Sequence, residues 1–92
     1  MPVRVLMVCL GNICRSPMAE GVFRHLLREK GLEGQIRVDS AGTGSWHVGE
    51  SPDLRSARTA AGHGIALEGS ARQVQPEDFR RFDYIVAMDQ SN

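Results

Sequence analysis

The chain reads as an α/β protein: a three-layer, twisted parallel sheet with helices on both faces and an anion-binding loop after the first strand. Three observations predict this. The first apolar run, Val3 to Val8, is nearly continuous, as a strand buried on both faces requires. Gly11 and Asn12 follow at once, and an amphipathic helical pattern begins at Ser16 and Pro17. The remaining segments spell strand, helix, short helix, strand, an order that implies right-handed crossovers between parallel strands.

Taken in order, Val3–Cys9 is the first strand. Gly11 and Asn12 permit the unusual backbone angles of a tight loop. Ser16 and Pro17 mark a helix start, with Pro at the first helical position. That helix runs to about Lys30, where Gly31 stops it. Met18, Val22 and Leu26, with Ala19, Phe23 and Leu27, form its expected buried stripe. Gln35–Ser40 is a short second strand, followed by the Gly/Ser-rich loop Ala41–Ser45 and Trp46. A second helix spans Pro52 to about His63 and closes near Gly62-His63-Gly64. Residues 65–73 connect to a short helix beginning at Pro76-Glu77-Asp78-Phe79, and Tyr84–Met88 is expected as a third, buried strand. Asp89-Gln90-Ser91-Asn92 reads as a helix entrance, so a C-terminal portion is expected beyond it. Residues 1–92 are expected to form one domain, without room for a second core.

Composition narrows the function. The chain is 41% hydrophobic and 24% charged, with a formal net charge of zero. That balance argues against a nucleic-acid or membrane partner. It leaves room for a local basic site, because Lys30 is the only lysine and arginine dominates the cations. No apolar run approaches the length that spans a bilayer, and the N-terminus lacks a signal-peptide layout. Two cysteines in one loop do not make a secreted disulfide framework. A reducing cytoplasm is the expected compartment.

The chemistry concentrates between Cys9 and Arg15, which bracket five residues: Leu10, Gly11, Asn12, Ile13 and Cys14. That spacing can wrap a loop around a tetrahedral oxyanion, with sulfur beneath it and a guanidinium at its side. Phosphoryl transfer needs both a nucleophile and charge neutralisation on the equatorial oxygens. The strand-to-helix turn adds backbone N–H donors and the positive end of a helix dipole. An isolated Cys is usually a buried small hydrophobe, but here Arg15, the loop N–H groups and the helix start favour a thiolate nucleophile. Arg15 offers a planar fork for two oxygens at once. Ser16 either caps the helix, supports the thiolate, or does both. Cys14 is either a packing residue or a redox partner that traps oxidised Cys9 as a disulfide. His25 on its helix is expected to be solvated. Trp46 is either core or one wall of a cleft that stacks on an aromatic substrate, with His47 beside it. No Gly-Lys-Ser/Thr and no Gly-x-Gly-x-x-Gly follows the strand, so nucleotide cofactors are unsupported. Two cysteines cannot complete a zinc site, and no metal or cofactor is expected.

At these residues the sequence resembles the low-molecular-weight protein tyrosine phosphatase family, over nearly the whole chain. Cys9-Leu10-Gly11-Asn12-Ile13-Cys14-Arg15-Ser16-Pro17-Met18-Ala19-Glu20 resembles its signature phosphate-binding loop and helix start. Val38-Asp39-Ser40-Ala41-Gly42-Thr43 resembles its second-strand motif. Ala71-Arg72-Gln73, Asp78-Phe79, Phe82-Asp83-Tyr84-Ile85 and Met88-Asp89-x-Ser91-Asn92 resemble later landmarks. The resemblance implies hydrolysis of phosphotyrosine in proteins and of aryl phosphates, through a cysteinyl-phosphate intermediate, with inorganic phosphate as product. It implies that Cys9 attacks phosphorus, Arg15 binds the phosphoryl oxygens and Ser16 supports the thiolate. It also implies that Asn12 and Ser40 hold the loop's shape, and that Trp46 stands at the cleft rim. Two departures stand out. The family's downstream Asp-Pro, whose Asp serves as general acid, is absent from this sequence, and Gly69 stands where some members carry a loop-supporting histidine. Arsenate reduction on the same fold is an alternative, but it passes a disulfide through further cysteines downstream, and none follows Cys14. A phosphate-binding module without catalysis is another.

Overall fold

A computed structural model describes residues 2–88. Three strands, β1 (Val3–Cys9), β2 (Ile36–Gly42) and β3 (Tyr84–Ala87), form a parallel sheet in the order β2-β1-β3. The helices are α1 (Arg15–Glu29), α2 (Leu54–Gly62) and α3 (Asp78–Arg81). β1 is central, which explains its run of buried residues from Val5 to Cys9. Its alternate residues face two different cores. Val5 and Met7 join Val38 of β2 and Leu27 of α1, with Ala19, Phe23 and Leu32 packed around them. Leu6 and Val8 join Ala41 on the opposite face, under Val74 and Phe82. Cys9, at the C-terminal end of β1, pairs in register with Gly42. Among the described residues, no helix is long and apolar enough to cross a membrane.

Several boundaries shift from those expected. α1 begins at Arg15, so Pro17 is its third residue rather than its first. An N–H at that position has no intrahelical acceptor, so proline costs nothing there. Met18 N–H makes the helix's first bond, to Cys14 C=O at 3.1 Å. At the other end Gly31 adopts φ +68°, and Leu32 N–H bonds Leu27 C=O at 2.8 Å while Gly31 N–H bonds Arg28 C=O. This left-handed stop returns Leu32 to the core against Leu27. β2 runs two residues past Ser40, because Thr43 and Gly44 N–H groups bond Cys9 and Leu10 C=O and draw the strand along β1. α2 starts after Asp53, whose carboxylate accepts the N–H groups of Arg55 and Ser56 and so caps the helix. The third strand ends at Ala87, one residue short of the expected end, and its four residues are exposed rather than buried, because it lies at the edge of the sheet. The expected helix entrance, residues 89–92, lies outside the described residues.

The buried face of α1 also differs. Val22 and Leu26 are exposed, while Ser16, Pro17, Glu20, Gly21 and Leu27 are buried. The helix is rotated so that Ser16 reaches the Cys9 sulfur and Glu20 reaches Ser40 of β2. These polar anchors occupy positions that apolar periodicity would give to leucine. Gly21 meets the connection after α2, where a Cβ would lie 2.6 Å from Leu67.

Arg72 braces the far side of the sheet. Its guanidinium bonds Asp78 at 3.0 and 3.2 Å and Asp39 of β2 at 3.1 Å. Burial opposes the charge on Arg72, but Asp78 and Asp39 outweigh it and hold the guanidinium above its ordinary value. Burial likewise opposes ionisation of Asp78. The bonds from Arg72 and the Gln75 N–H, with the charges of Arg72 and Arg81, overcome that and hold the carboxyl below its ordinary 3.8. A depressed carboxyl contributes stability that is fully present above the unfolded-state value and lost as pH falls through the folded one. Asp78→Asn should therefore destabilise the chain by about 1–3 kcal/mol at neutral pH. The gap to the parent should be constant above about pH 4 and close below it. Urea unfolding at a series of pH values checks this; a gap that persists unchanged into strong acid would refute the ionic role.

Candidate active site

The site is built where β1 hands over to α1. Cys9 is buried, at 4% exposure, and two donors converge on its sulfur. The backbone N–H of Asn12 lies 3.1 Å from Sγ and the Ser16 hydroxyl lies 3.0 Å from it. The direction of the second bond follows from its neighbours. Arg72 N–H donates to Asn12 Oδ1 at 3.0 Å, which leaves the Asn12 amide nitrogen to donate to Ser16 Oγ at 2.8 Å. Ser16 Oγ thus accepts from Asn12, and because a thiolate can only accept, the Ser16 proton is the one shared with sulfur when Cys9 is ionised. A relay of three hydrogen bonds therefore runs from the Arg72 backbone to Cys9. Its middle member, Asn12, is buried and has φ 57°. That left-handed conformation is disfavoured for most side chains but accessible to asparagine.

Three loop carbonyls are bound by neighbours. Cys9 C=O accepts Thr43 N–H, Leu10 C=O accepts Gly44 N–H, and Ile13 C=O accepts Asp53 N–H. In a trans peptide the following N–H points oppositely, so the N–H groups of Gly11 and Cys14 face the other way. Arg15 is exposed as the first residue of α1, where backbone donors and the helix dipole favour an anion. Gly42 makes this closeness feasible. A Cβ there would stand 2.9 Å from Leu10 C=O and 3.1 Å from the Asn12 backbone nitrogen.

Each sequence-predicted residue has a definite place. Cys9, Asn12 and Ser16 are brought together. Ser40 is buried next to the site, but its hydroxyl donates to Glu20 on α1 rather than to the loop. It supports the loop only through the helix. Trp46 is 71% exposed and lies against Gly44, outside the core. The His47 ring packs on Gly11, whose Cβ would meet Cδ2 at 2.9 Å, and its Nδ1 lies 2.7 Å from Glu50. Both cysteines are free thiols, Cys9 buried and Cys14 exposed. Gly69, at φ +83°, borders a small cavity of about 60 Å³ behind the loop, between Asn12, Glu20, Asp39 and Ser40.

Sequence reasoning did not assign roles to Glu20, Gly42, Glu50 or Arg72. Glu20 carried a signal, being one helical turn after Ser16 and so on the same face. Arg72 acts on the loop through its backbone, which no side-chain pattern reveals.

Fold and site together define a class: a parallel α/β protein in which the first strand delivers a buried cysteine into a strand–loop–helix turn. The chain belongs to the low molecular weight phosphotyrosine protein phosphatase family, whose model matches residues 4–92. It is 54% identical over 91 residues to the low molecular weight protein-tyrosine-phosphatase YfkJ of Bacillus subtilis, covering 98% of this chain and 58% of that protein. It is 54% identical over 88 residues to low molecular weight phosphotyrosine protein phosphatase 2 of Drosophila melanogaster, covering 96% of this chain and 54% of that protein. The crystal structure of YfkJ superposes with a TM-score of 0.97 at 53% identity, over 100% of this chain and 58% of that one. The chain thus spans a little over half the length of these relatives.

Proposed function

We propose that this chain carries the nucleophile and the phosphate-binding loop of a protein tyrosine phosphatase that works through a cysteinyl-phosphate intermediate. The observation that carries this reading is the pair of donors on the Cys9 sulfur, the Asn12 N–H and the Ser16 hydroxyl. In the first step the Cys9 thiolate attacks phosphorus. An S–P bond forms, the ester P–O bond breaks, and its electron pair leaves on the aryl oxygen. Arg15 and the loop N–H groups neutralise the phosphoryl oxygens as charge shifts toward the leaving group. In the second step water attacks phosphorus and the S–P bond breaks. The sulfur departs as a thiolate, which its two donors stabilise, and inorganic phosphate is released. Proton transfer to the leaving phenol falls to a general acid, and the Asp-Pro that supplies it in the family is not in this sequence. Phosphotyrosine-containing proteins are the substrate class, and a reducing, cytoplasmic setting would keep both thiols free. Rapid quenching after mixing with a phosphotyrosyl peptide tests the reading. Phosphate on Cys9, found by mass spectrometry, supports it; phosphate release without a Cys9 adduct overturns it.

Trp46 suits a rim contact for the aryl group. Trp46→Ala should raise KM for aryl phosphates several-fold while leaving small alkyl phosphates nearly unchanged, because aromatic contact contributes on the order of 1 kcal/mol beyond area. Equal effects on both substrates would remove Trp46 from the binding face. Cys14, exposed in the same loop, is the natural partner for oxidised Cys9. Peroxide should inactivate the parent reversibly and Cys14→Ala irreversibly. Equal thiol recovery in both would leave Cys14 without a redox role.

A further inference from the structure

The formal net charge is zero, yet the arginines are unevenly placed. Arg4 of β1 and Arg37 of β2 are direct register partners, so two like charges stand side by side on adjacent strands. Both line an open groove of about 410 Å³ with Arg24, Arg81 and Phe82. A second open groove, of about 620 Å³, is lined by Arg4, Arg80, Arg81 and Tyr84. The grooves share Arg4 and Arg81 and so form one elongated strip fed by β1, β2, α1 and α3. Arg24 is paired with Glu20. Among the described residues, Arg4, Arg37, Arg80 and Arg81 have no carboxylate within ion-pair distance. Two carboxylates also line the strip: Asp39, which is paired with the Arg72 guanidinium, and Asp83, which accepts the Arg4 backbone N–H. Among the described residues these cations outnumber the carboxylates that line the strip, so part of their mutual repulsion remains.

We propose that this strip is a docking surface for an acidic polypeptide segment. Guanidinium groups pair with carboxylates through two parallel hydrogen bonds, and four that make no ion pair can take up several carboxylates. The shape favours an extended chain over a compact anion, because two adjoining grooves must be filled. Nucleic acid fits less well. Among the described residues the strip offers one largely exposed aromatic side chain, Tyr84, with Phe82 half-buried, whereas single-stranded nucleic acid uses successive stacking platforms, and a neutral chain lacks the long-range field that draws it. The strip is remote from the sulfur. Arg4 lies five residues before Cys9 on β1, about 16 Å at the usual rise, so the proposal stands whether or not Cys9 is a nucleophile.

The test is calorimetric titration of the chain with a hexaglutamate peptide, with the contact located by backbone-amide NMR. Shifts should centre on Arg4, Arg37 and Arg81. The double substitution Arg4→Gln/Arg37→Gln should weaken binding by about tenfold or more, whereas Arg58→Gln on α2, outside the strip, should not. The Arg4 backbone bond to Asp83 survives the substitution. If the double variant fails to fold, Arg81→Gln, at an exposed position, gives the same readout. Undetectable binding, equal affinity in the strip variant, or shifts centred on residues 9–15 would overturn the proposal. So would inorganic pyrophosphate or a single-stranded oligonucleotide occupying the strip as tightly as the peptide.

Discussion

Cys9→Ser is expected to abolish turnover of p-nitrophenyl phosphate, by on the order of 10⁴–10⁶-fold, while phosphate and vanadate still bind. The reason lies in the groups around the sulfur. A serine hydroxyl attacks only after losing its proton to an adjacent base, and here the neighbours are donors. The Asn12 N–H points at the sulfur, and the Ser16 hydroxyl already accepts from the Asn12 amide. Neither can take up a proton. The loop N–H groups and Arg15 are untouched by the substitution, so the anion keeps its site. Steady-state hydrolysis and calorimetric titration with vanadate separate the two effects. Appreciable turnover by the serine variant would mean that the nucleophile is elsewhere.

Arg15→Lys should cost about 10²–10³-fold in kcat, roughly what one lost oxyanion donor costs, although charge is conserved. A lysine is a compact point charge and cannot hold two phosphoryl oxygens in parallel. The deficit should fall on kcat more than on KM, because the contact strengthens as charge develops in the transition state. Near-parental kcat in the lysine variant would exclude the bidentate role. The leaving group should be activated in this assay, since p-nitrophenolate departs without a proton. With poorer leaving groups, the absence of an Asp-Pro from this sequence would mask the effect.

Much of the fold is legible because β1 and α1 obey local rules. The nearly continuous apolar run of Val3–Val8, interrupted only by Arg4, has one good solution, a central strand, and Gly31 has one good use, a left-handed stop. The meeting of Cys9 with Ser16 is legible because their spacing suits a strand–loop–helix turn. The misread features share a cause: polar groups placed where a local rule expects apolar ones. Ser16 and Glu20 rotate α1, so Val22 and Leu26 face outward. Ser40 follows Glu20 rather than the loop because the helix carboxylate is closer to hand. The brace from Arg72 to Asn12 spans sixty positions and uses a backbone N–H, which leaves no trace in residue type. Gly42 shows its purpose only when Leu10 and Asn12 are folded beside it.

The placement of the single tryptophan has an optical consequence. Trp46 is 71% exposed in the folded chain, so its indole already emits from a largely aqueous setting. Unfolding should shift the emission maximum little, and a fluorescence melt would understate the transition that far-UV circular dichroism records. The same placement makes the emission a selective gauge of the loop after β2: quenching by iodide or acrylamide should be efficient in the native state, and should fall only when something covers the indole. The chain thus carries a native dye beside Gly44, silent about the core and responsive to whatever covers the loop after β2.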